Sequence, residues 1–495
     1  FFAEVPYFFA LSPYYDLTLK PVFYSETGVL MQGEWRHNLR RGRYNLDGSF
    51  IYTDDKDDNN QSTGNKTLTG HIFGSGTFRP SPNWSAEFQV QSVSDDTYLR
   101  RYDISNEVDL ETFLSFLGVK GRSFVDIRSY YFQGLRTRDD PGLTPRVMPL
   151  IRGRYVIEQK QLGRINIEGN ALVLQRTEGL DSRRVSLGLD WRREIRTPMG
   201  QLITPFASVR ADYYNIDDVT PDDSLAFDGE RETVYRTLPT AGIDIRWPFV
   251  KATSKSFNVV VEPIAQAVIG RNDTMNEKIP NEDSQSFEFD TPNLFRDDKS
   301  PGLDLWEGGT RINVGIKGGA YWDDGREVSA MIGRTYRLDD DSPFAVGTGL
   351  DTKNSDIVGE FTVRPVQFFS ISHRFRLDDE TLRFRRNEVA ASLDFNRFRG
   401  SLRYTQSERQ ASTTGIPARE EIRMDGRLKV TKNWSAIGRF IRDLESDRQL
   451  ESLAALEYED ECTIFRITAK RQFFRDRDIR PSDTILFSLV LKTLN

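Results

Sequence analysis

The chain has 495 residues, with 67 basic against 74 acidic side chains and a net charge of −7. This mild acidity argues against a nucleic-acid-binding protein, because such proteins usually present a basic face. The mean hydropathy is −0.54, and no segment approaches the ~18 consecutive apolar residues that a membrane-spanning helix needs. The composition therefore excludes a helical membrane protein. It does not exclude a membrane β-barrel, whose strands turn only every second residue toward lipid.

Apolar and polar residues alternate in stretches spread along the chain, at residues 43–52, 311–322, 398–404, 465–470 and 484–492. A period of two predicts β-strands with one apolar and one polar face. No long amphipathic helix and no change of composition interrupts the series. We therefore predict an all-β chain and favour one large transmembrane barrel. A soluble sandwich or a propeller has the same period, so the pattern alone leaves both open.

Polar, turn-rich pieces separate these stretches, and Asp297-Asp298-Lys299 is one of them. Clustered carboxylates can hold divalent cations, but these lack the ordered spacing of a calcium-binding loop. We therefore expect solvated turns, and we predict neither a metal nor a cofactor.

The chain has three histidines, His37, His71 and His373. None lies near a Gly-x-Ser-x-Gly or a His-Glu-x-x-His motif, which would indicate a hydrolase. A histidine with distant Ser or Asp partners remains an alternative, because some barrels are hydrolases. We expect histidines of the lumen or the membrane interface instead, and no enzymatic activity.

Prolines mark the beginning of the chain, at Pro6, Pro13 and Pro21. Proline has no N–H and cannot donate to a β-ladder, so it belongs at edges or bulges. Two interpretations stay open from the residues alone. The prolines could weaken the first strands of a barrel, or Pro6 and Pro13 could lie in a lead-in before it.

Cys462 is the only cysteine, so the chain cannot form an internal disulfide. The sequence opens at Phe1 without a methionine, a charged region or an apolar leader. We expect a processed or trimmed product whose upstream part holds another domain.

Several segments resemble the lipopolysaccharide-assembly family LptD. The opening Val5-Pro6-Tyr7 through Pro13 to Asp16-Leu17-Thr18-Leu19, with Gly33-Glu34-Trp35-Arg36 after it, is similar to the start of that family's barrel. A central block runs from Asn281-Glu282-Asp283-Ser284 through Asn293-Leu294-Phe295-Arg296 and Gly302-Leu303-Asp304 to Glu307 and Arg311. Residues 433–435, 456–462 and 483–492 resemble its last strands. The matches occur in the family's order over nearly the whole chain, and the central block is the most specific.

The resemblance implies an outer-membrane barrel of about 26 strands in a Gram-negative bacterium. Residues 1–495 would form this single domain, with the signal peptide and the periplasmic jelly-roll domain outside the chain. An LptE-like lipoprotein would plug the lumen, and an LptA-like bridge would deliver lipopolysaccharide through the missing domain. No nucleic acid takes part, and the outer-membrane lipid receives the product.

The resemblance also implies a lateral gate between the first and last strands. Pro6 and Pro21 match the family's gate prolines in placement and spacing, and Phe487, Leu489 and Leu491 would form the other lip. The family commonly carries two adjacent cysteines near its end, bonded to the periplasmic domain. This chain has Glu461-Cys462, so at most one such interdomain disulfide is expected.

The alternative function is a passive porin or a nutrient receptor with a similar barrel. Such a protein would need no lipoprotein plug and would conduct ions or bind a small solute. The sequence identifies neither the lumen contacts nor the chemical type of lipopolysaccharide.

Overall fold

The computed structural model describes residues 1–25, 27–56, 62–218, 232–253, 256–285, 287–339, 342–410, 417–473 and 481–492. Its regular structure is almost entirely strand, so the predicted all-β class is confirmed. The helical segments among these residues are the short helix α1 (Tyr98–Arg101) and a 3-10 turn (Asn276–Lys278). Neither has the length or the apolar composition to cross a membrane.

In chain order, the strand segments are β1 (Phe2–Glu4), β2 (Tyr7–Phe9), β3 (Tyr15–Tyr24), β4 (Gly28–Leu39), β5 (Gly42–Lys56), β6 (Ser62–Ser81), β7 (Trp84–Val93), β8 (Asp109–Lys120), β9 (Ser123–Gly134), β10 (Arg146–Gln159), β11 (Gly163–Gln175), β12 (Asp181–Arg192), β13 (Ile195–Arg196), β14 (Leu202–Asp217), β15 (Glu232–Arg246), β16 (Phe249–Ala252), β17 (Phe257–Gly270), β18 (Thr310–Trp322), β19 (Glu327–Arg337), β20 (Ile357–Val366), β21 (Phe369–Leu377), β22 (Phe384–Phe395), β23 (Phe398–Ser407), β24 (Arg419–Lys429), β25 (Trp434–Asp443), β26 (Arg448–Glu459), β27 (Thr463–Gln472) and β28 (Ser482–Leu491). All five stretches predicted from alternation lie in strands, namely β5, β18, β23, β27 and β28.

Every strand pairs antiparallel with its neighbours along the chain, from β3 to β28. Three strands consist of two segments each, β1 with β2, β12 with β13 and β15 with β16, because both pieces pair with the same neighbour. The 28 segments of the described chain therefore make 25 strands, close to the expected 26.

The sheet curves back on itself. Asp103 follows β7 and Lys470 lies on β27, 367 residues later, yet the carboxylate and the ammonium group are 3.2 Å apart. This contact brings the last hairpin beside the first strands, as the predicted barrel requires.

Apolar side chains point outward and polar side chains point inward. On β12, Val185, Leu187 and Leu189 are exposed, whereas Arg184 and Ser186 between them are buried. A membrane barrel needs this arrangement, because its outer surface meets lipid. A soluble sandwich would show the opposite one, so that alternative is wrong.

The connections differ between the two ends of the barrel. At one end the turns are short, such as residues 40–41, 82–83 and 121–122, while the other end carries long connections such as 94–108 and 271–309. In bacterial barrels the short turns are periplasmic and the long loops face the cell surface. We call the two ends the short-turn end and the long-loop end.

Candidate lateral seam and lumen

The first strand is broken at a proline but keeps its register. Phe2 lies opposite Tyr24 in β1, and Tyr7 lies opposite Leu19 in β2. Tyr7 lies five positions after Phe2, and its partner Leu19 lies five positions before Tyr24. The register is therefore the same on both sides of the break, and no residue is inserted at Pro6. Pro6 is therefore part of the barrel wall, and the alternative that it precedes the barrel is wrong. Pro13 lies in the turn that follows.

The structure places Pro6 and Pro21 next to each other on neighbouring strands. The Val5 N–H donates to the Pro21 carbonyl at 3.3 Å, but Pro21 has no N–H with which to return the bond. Antiparallel pairs alternate between bonded and non-bonded positions. Because Val5 and Pro21 form a bonded position, the nitrogen of Pro6 faces away from β3. Pro6 thus removes a donor from the outer edge of the first strand.

The last strand, β28, pairs along all of its ten residues with β27. Phe487, Leu489 and Leu491 share one exposed face, and Leu486 and Val490 on the opposite face are also exposed. Among the described residues, no ladder joins this strand to the first one. We call the gap between them the seam. The structure thus brings the two prolines together and sets the three apolar residues on the opposite lip, without a hydrogen bond between the two sets.

The direction of these two strands adds a constraint. The first strand runs from Phe1, whose carbonyl accepts from the Ser25 N–H at the long-loop end. The last strand ends beside the short turn of Cys462, whose carbonyl accepts from the Lys492 N–H at 2.7 Å. Both strands therefore run the same way, as they must when the described strands are odd in number.

The long connection 271–309 folds into the barrel, and its charged side chains Lys299, Asp304 and Glu307 are buried. Glu307 is 1% exposed and contacts three cations. Its carboxylate lies 3.4 Å from Lys299, 3.5 Å from Arg311 and 2.9 Å from Arg337. Lys299 also reaches the amide oxygen of Asn313 at 3.2 Å. The predicted solvated turn at 297–299 is therefore wrong for Lys299, because the connection folds inward.

Burial and charge oppose each other in this network. Burial works against ionisation of Glu307, but Arg311, Lys299 and Arg337 outweigh it and lower its pKa. The pKa of Lys299 falls to about 8, because burial disfavours its cation more than Glu307 favours it. Burial likewise raises the pKa of Asp298 to about 6. The central block that resembles the LptD family thus forms a fixed piece of the lumen.

Replacing Asp298 by Asn should stabilise the barrel at neutral pH. The pKa is raised in the folded state, so the wild-type carboxylate costs stability as pH rises from about 4 through 6, and the cost is complete above 6. The asparagine oxygen can still accept from the Ser300 and Glu307 N–H groups. At pH 7.5, Asp298→Asn should raise the free energy of unfolding by up to about 3 kcal/mol more than it does at pH 4.

The measurement is the temperature at which the purified barrel loses its compact form on an SDS gel, at both pH values. A change in packing alone would shift this temperature by the same amount at both pH values. The account of Asp298 is contradicted if the variant differs from the wild type by the same amount at pH 4 and pH 7.5.

The connection 94–108 also folds inward, and a polar network holds it. The Tyr98 hydroxyl lies 2.7 Å from the Ser49 hydroxyl, which lies 2.6 Å from Nδ1 of His71. Nε2 of His71 is 2.9 Å from the Asp47 carboxylate. Serine hydrolases use Ser, His and Asp in this order, but here Ser49 is buried and faces Tyr98. The network fastens the connection to the wall, and the sequence alone did not indicate it.

The lumen wall beside the last strands is rich in arginine. The Glu457 carboxylate, 3% exposed, bonds to both Arg427 and Arg466, and the Asp425 carboxylate bonds to Arg423 and Arg439. A cavity of about 640 Å³ lies against Arg399, Arg427, Arg439 and Arg466. Guanidinium groups donate in a planar fork that matches phosphate and carboxylate.

Comparisons with known proteins agree with this architecture. The family LptD, described as LPS transport system D, matches residues 69–434. The LPS-assembly protein LptD of Nitrosococcus oceani is 23% identical over 99% of this chain and 65% of its own length. The LptD of Marinobacter nauticus is 25% identical over 100% of this chain and 62% of its own. The chain thus spans somewhat less than two thirds of these relatives.

Among solved structures, the copper transporter OprC covers 98% of this chain and 71% of its own, with 8% identity and a TM-score of 0.29. The siderophore receptor PirA of Pseudomonas aeruginosa covers 99% and 78%, with 10% identity and the same TM-score. Such scores carry no argument. The family match, which covers about three quarters of the chain, does: this chain belongs to the LptD family of Gram-negative outer-membrane β-barrel proteins.

Proposed function

We propose that this chain is the membrane wall of a lipopolysaccharide translocon, and that its substrate reaches the outer leaflet through the seam. One observation carries the proposal. The first strand presents an outer edge from which Pro6 has removed a donor.

The chemistry of lipopolysaccharide requires a sideways exit. Its acyl chains would be costly to move through a wet lumen, and its sugars would be costly to move through lipid. A wall that parts along one line lets the sugar travel inside while the acyl chains enter the membrane. An unpaired backbone group in lipid costs several kcal/mol, so a seam with fewer ladder bonds is easier to part. Pro6 removes one donor at this line, and Pro21 removes one from the ladder between the first strand and β3.

The number of strands bears on how the seam is filled. Antiparallel closure of a barrel needs an even number of strands, and the first and last described strands run the same way. One further strand of opposite direction would complete a wall of 26. Whichever segment lies in the seam must pair with the edge that carries Pro6.

The lumen is suited to an anionic sugar. Arg399, Arg427, Arg439 and Arg466 lie around a cavity against β23, β24, β25 and β27, on the side of the barrel that leads to the last strand. Phosphate groups on the substrate would exchange with the carboxylates that these arginines now bind. The inward connection 271–309 occupies another part of the lumen, and an LptE-like lipoprotein would fill the rest.

Cys462 is the proposed attachment point for the periplasmic domain. It is exposed, in the turn between β26 and β27 at the short-turn end. That end faces the periplasm if the barrel follows the usual orientation. A disulfide from Cys462 would hold the domain that receives lipopolysaccharide from an LptA-like bridge.

Depletion of the full-length protein in its host tests the proposal. Newly made lipopolysaccharide is followed by surface labelling, and a control barrel of unrelated function is followed for assembly. We expect labelling to stop while the control barrel still assembles. Continued labelling together with loss of uptake of a small solute would contradict the proposal and favour a porin or receptor.

A further inference from the structure

The connection 94–108, which we call the lumenal strap, covers the inside of the first strands. Its helix α1 supplies the buried residues Tyr98 and Leu99 to the largest apolar cluster of the described chain. The other buried members of this cluster come from the strap, from β3, β4, β5, β7 and β8, and from the residue after β9: Val22, Leu30, Ile51, Val93, Tyr102, Leu110 and Leu135. The strap is therefore fixed to the wall formed by β3, β4 and β5.

Aromatic contacts continue from the strap to the first strand. The rings of Tyr98 and Tyr102 are 4.9 Å apart, and those of Tyr102 and Tyr24 are 5.5 Å apart. Phe2 on β1 lies 5.6 Å from Tyr24. The buried hydroxyl network of Tyr98 and Ser49 adds a polar anchor. The strap thus contacts the proline-bearing side of the seam through both apolar and polar groups.

The same strap reaches the other lip. Asp103 has a φ of +54°, and its carboxylate lies 3.2 Å from Nζ of Lys470. Lys470 is on β27 and pairs in register with Thr484 on the last strand. The Asp103 side chain is 65% exposed and that of Lys470 is 19% exposed. The contact is therefore open to water, unlike the buried contacts on the other side.

We infer that the lumenal strap is a latch that spans the seam from within at the long-loop end. Its two attachments differ in kind. Separating the strap from β3, β4 and β5 would expose a buried core, whereas separating it from β27 breaks an ion pair that water can replace. When the lips part, the strap stays with the first strands, and the contact of Asp103 with Lys470 opens. The latch would control the lateral exit, so the inference rests on the proposed function.

Spin labels on either side of the seam test the latch without any transport assay. Labels at Val29→Cys on β4 and Ile485→Cys on β28 report the width of the seam, and the same protein without these two cysteines shows any label that attaches elsewhere. The full-length protein is used, purified with the subunits that accompany it. We expect a narrow distance distribution with the natural strap, and a broader and longer one with Asp103→Lys or Lys470→Asp.

The charge swap Asp103→Lys with Lys470→Asp should restore the narrow distribution. Replacing residues 97–103 by a glycine–serine turn removes every contact of that part of the strap and should broaden the distribution most. Asp324→Lys, in an exposed turn at the opposite end, is the matched control and should have no effect. A strap replacement that leaves the distribution narrow, or a swap that fails to restore it, would overturn the inference.

The same variants separate this inference from the proposed function. If the seam widens in Asp103→Lys but surface labelling of new lipopolysaccharide is the same in all variants, whatever the width of the seam, the latch stands and the lateral exit fails. If the seam does not widen, the latch fails and the exit remains a separate question.

Discussion

Replacing Glu307 by Leu should prevent this barrel from reaching its folded state. Glu307 is the carboxylate shared by Lys299, Arg311 and Arg337, and all four side chains are at most 4% exposed. The substitution leaves three buried cations without their anion. Removing one partner of a buried ion pair costs about 3–5 kcal/mol, a large share of the roughly 5–15 kcal/mol by which folded proteins are stable. The measurement is the amount of compact, SDS-resistant barrel in the outer membrane.

Two variants make this result specific. Asp324→Asn removes an exposed carboxylate that pairs with Arg326, and water can replace either partner of such an exposed pair, so its barrel should assemble normally. Adding Lys299→Met to Glu307→Leu removes one of the three cations and should recover part of the folded barrel. Normal assembly of Glu307→Leu alone would show that the buried network is not needed to fold the wall.

Restoring the donors that are missing on the two edges of the first strand should slow export of lipopolysaccharide. Pro6→Ala returns an N–H to the outer edge of the first strand, and Pro21→Ala returns one that can donate to Val5. The bond restored by Pro6→Ala must break when the seam parts, and about 1 kcal/mol corresponds to an open fraction about fivefold lower. The double variant should export at least about fivefold more slowly, because Pro21→Ala adds a bond that holds the first strand to β3. The rate of surface labelling after a pulse measures this.

Pro205→Ala is the matched control, since Pro205 lies in β14 far from the seam, between Ile243 of β15 and Arg193 at the break between β12 and β13. It should export at the wild-type rate. A double variant that exports normally, or a control that is slowed as much, would contradict the role given to Pro6 and Pro21. Amounts of folded barrel must be equal in all strains before the rates are compared.

The sequence predicts the wall well, because a strand between lipid and water must alternate. The alternation at 311–322 and 398–404 gave β18 and β23 in the correct places, since the alternating apolar residues, such as Ile312, Ile316 and Leu402, are exposed. Pairing between neighbours followed from the absence of long helices or linkers. The proline positions also indicated that pairing of the first strands could be weakened. Only the register shows that the nitrogen of Pro6 faces the outer edge of the first strand.

The interior was less predictable. Residues 297–299 have the composition of an exposed turn, and nothing local shows that Lys299 meets Glu307 and Arg337 inside a barrel. The link of Tyr98 to Ser49, or of Asp103 to Lys470, joins positions far apart in the chain. Such contacts depend on how the whole sheet curves, and no short pattern encodes that curvature. Family resemblance marked the central block as characteristic without giving its location.

The central claim is that lipopolysaccharide leaves through the seam, and site-specific cross-linking tests it most directly. A photoactivatable residue replaces Phe487 on the last strand or, as the control, Leu187 on β12; their side chains are 65% and 63% exposed, and both lie in the half of their strands toward the short-turn end. Cells receive a short pulse of labelled sugar and are irradiated at once. The account predicts an adduct with newly made lipopolysaccharide at position 487 and none at 187 until long after the pulse. Equal adducts at both positions, or an adduct at 187 alone, would contradict it.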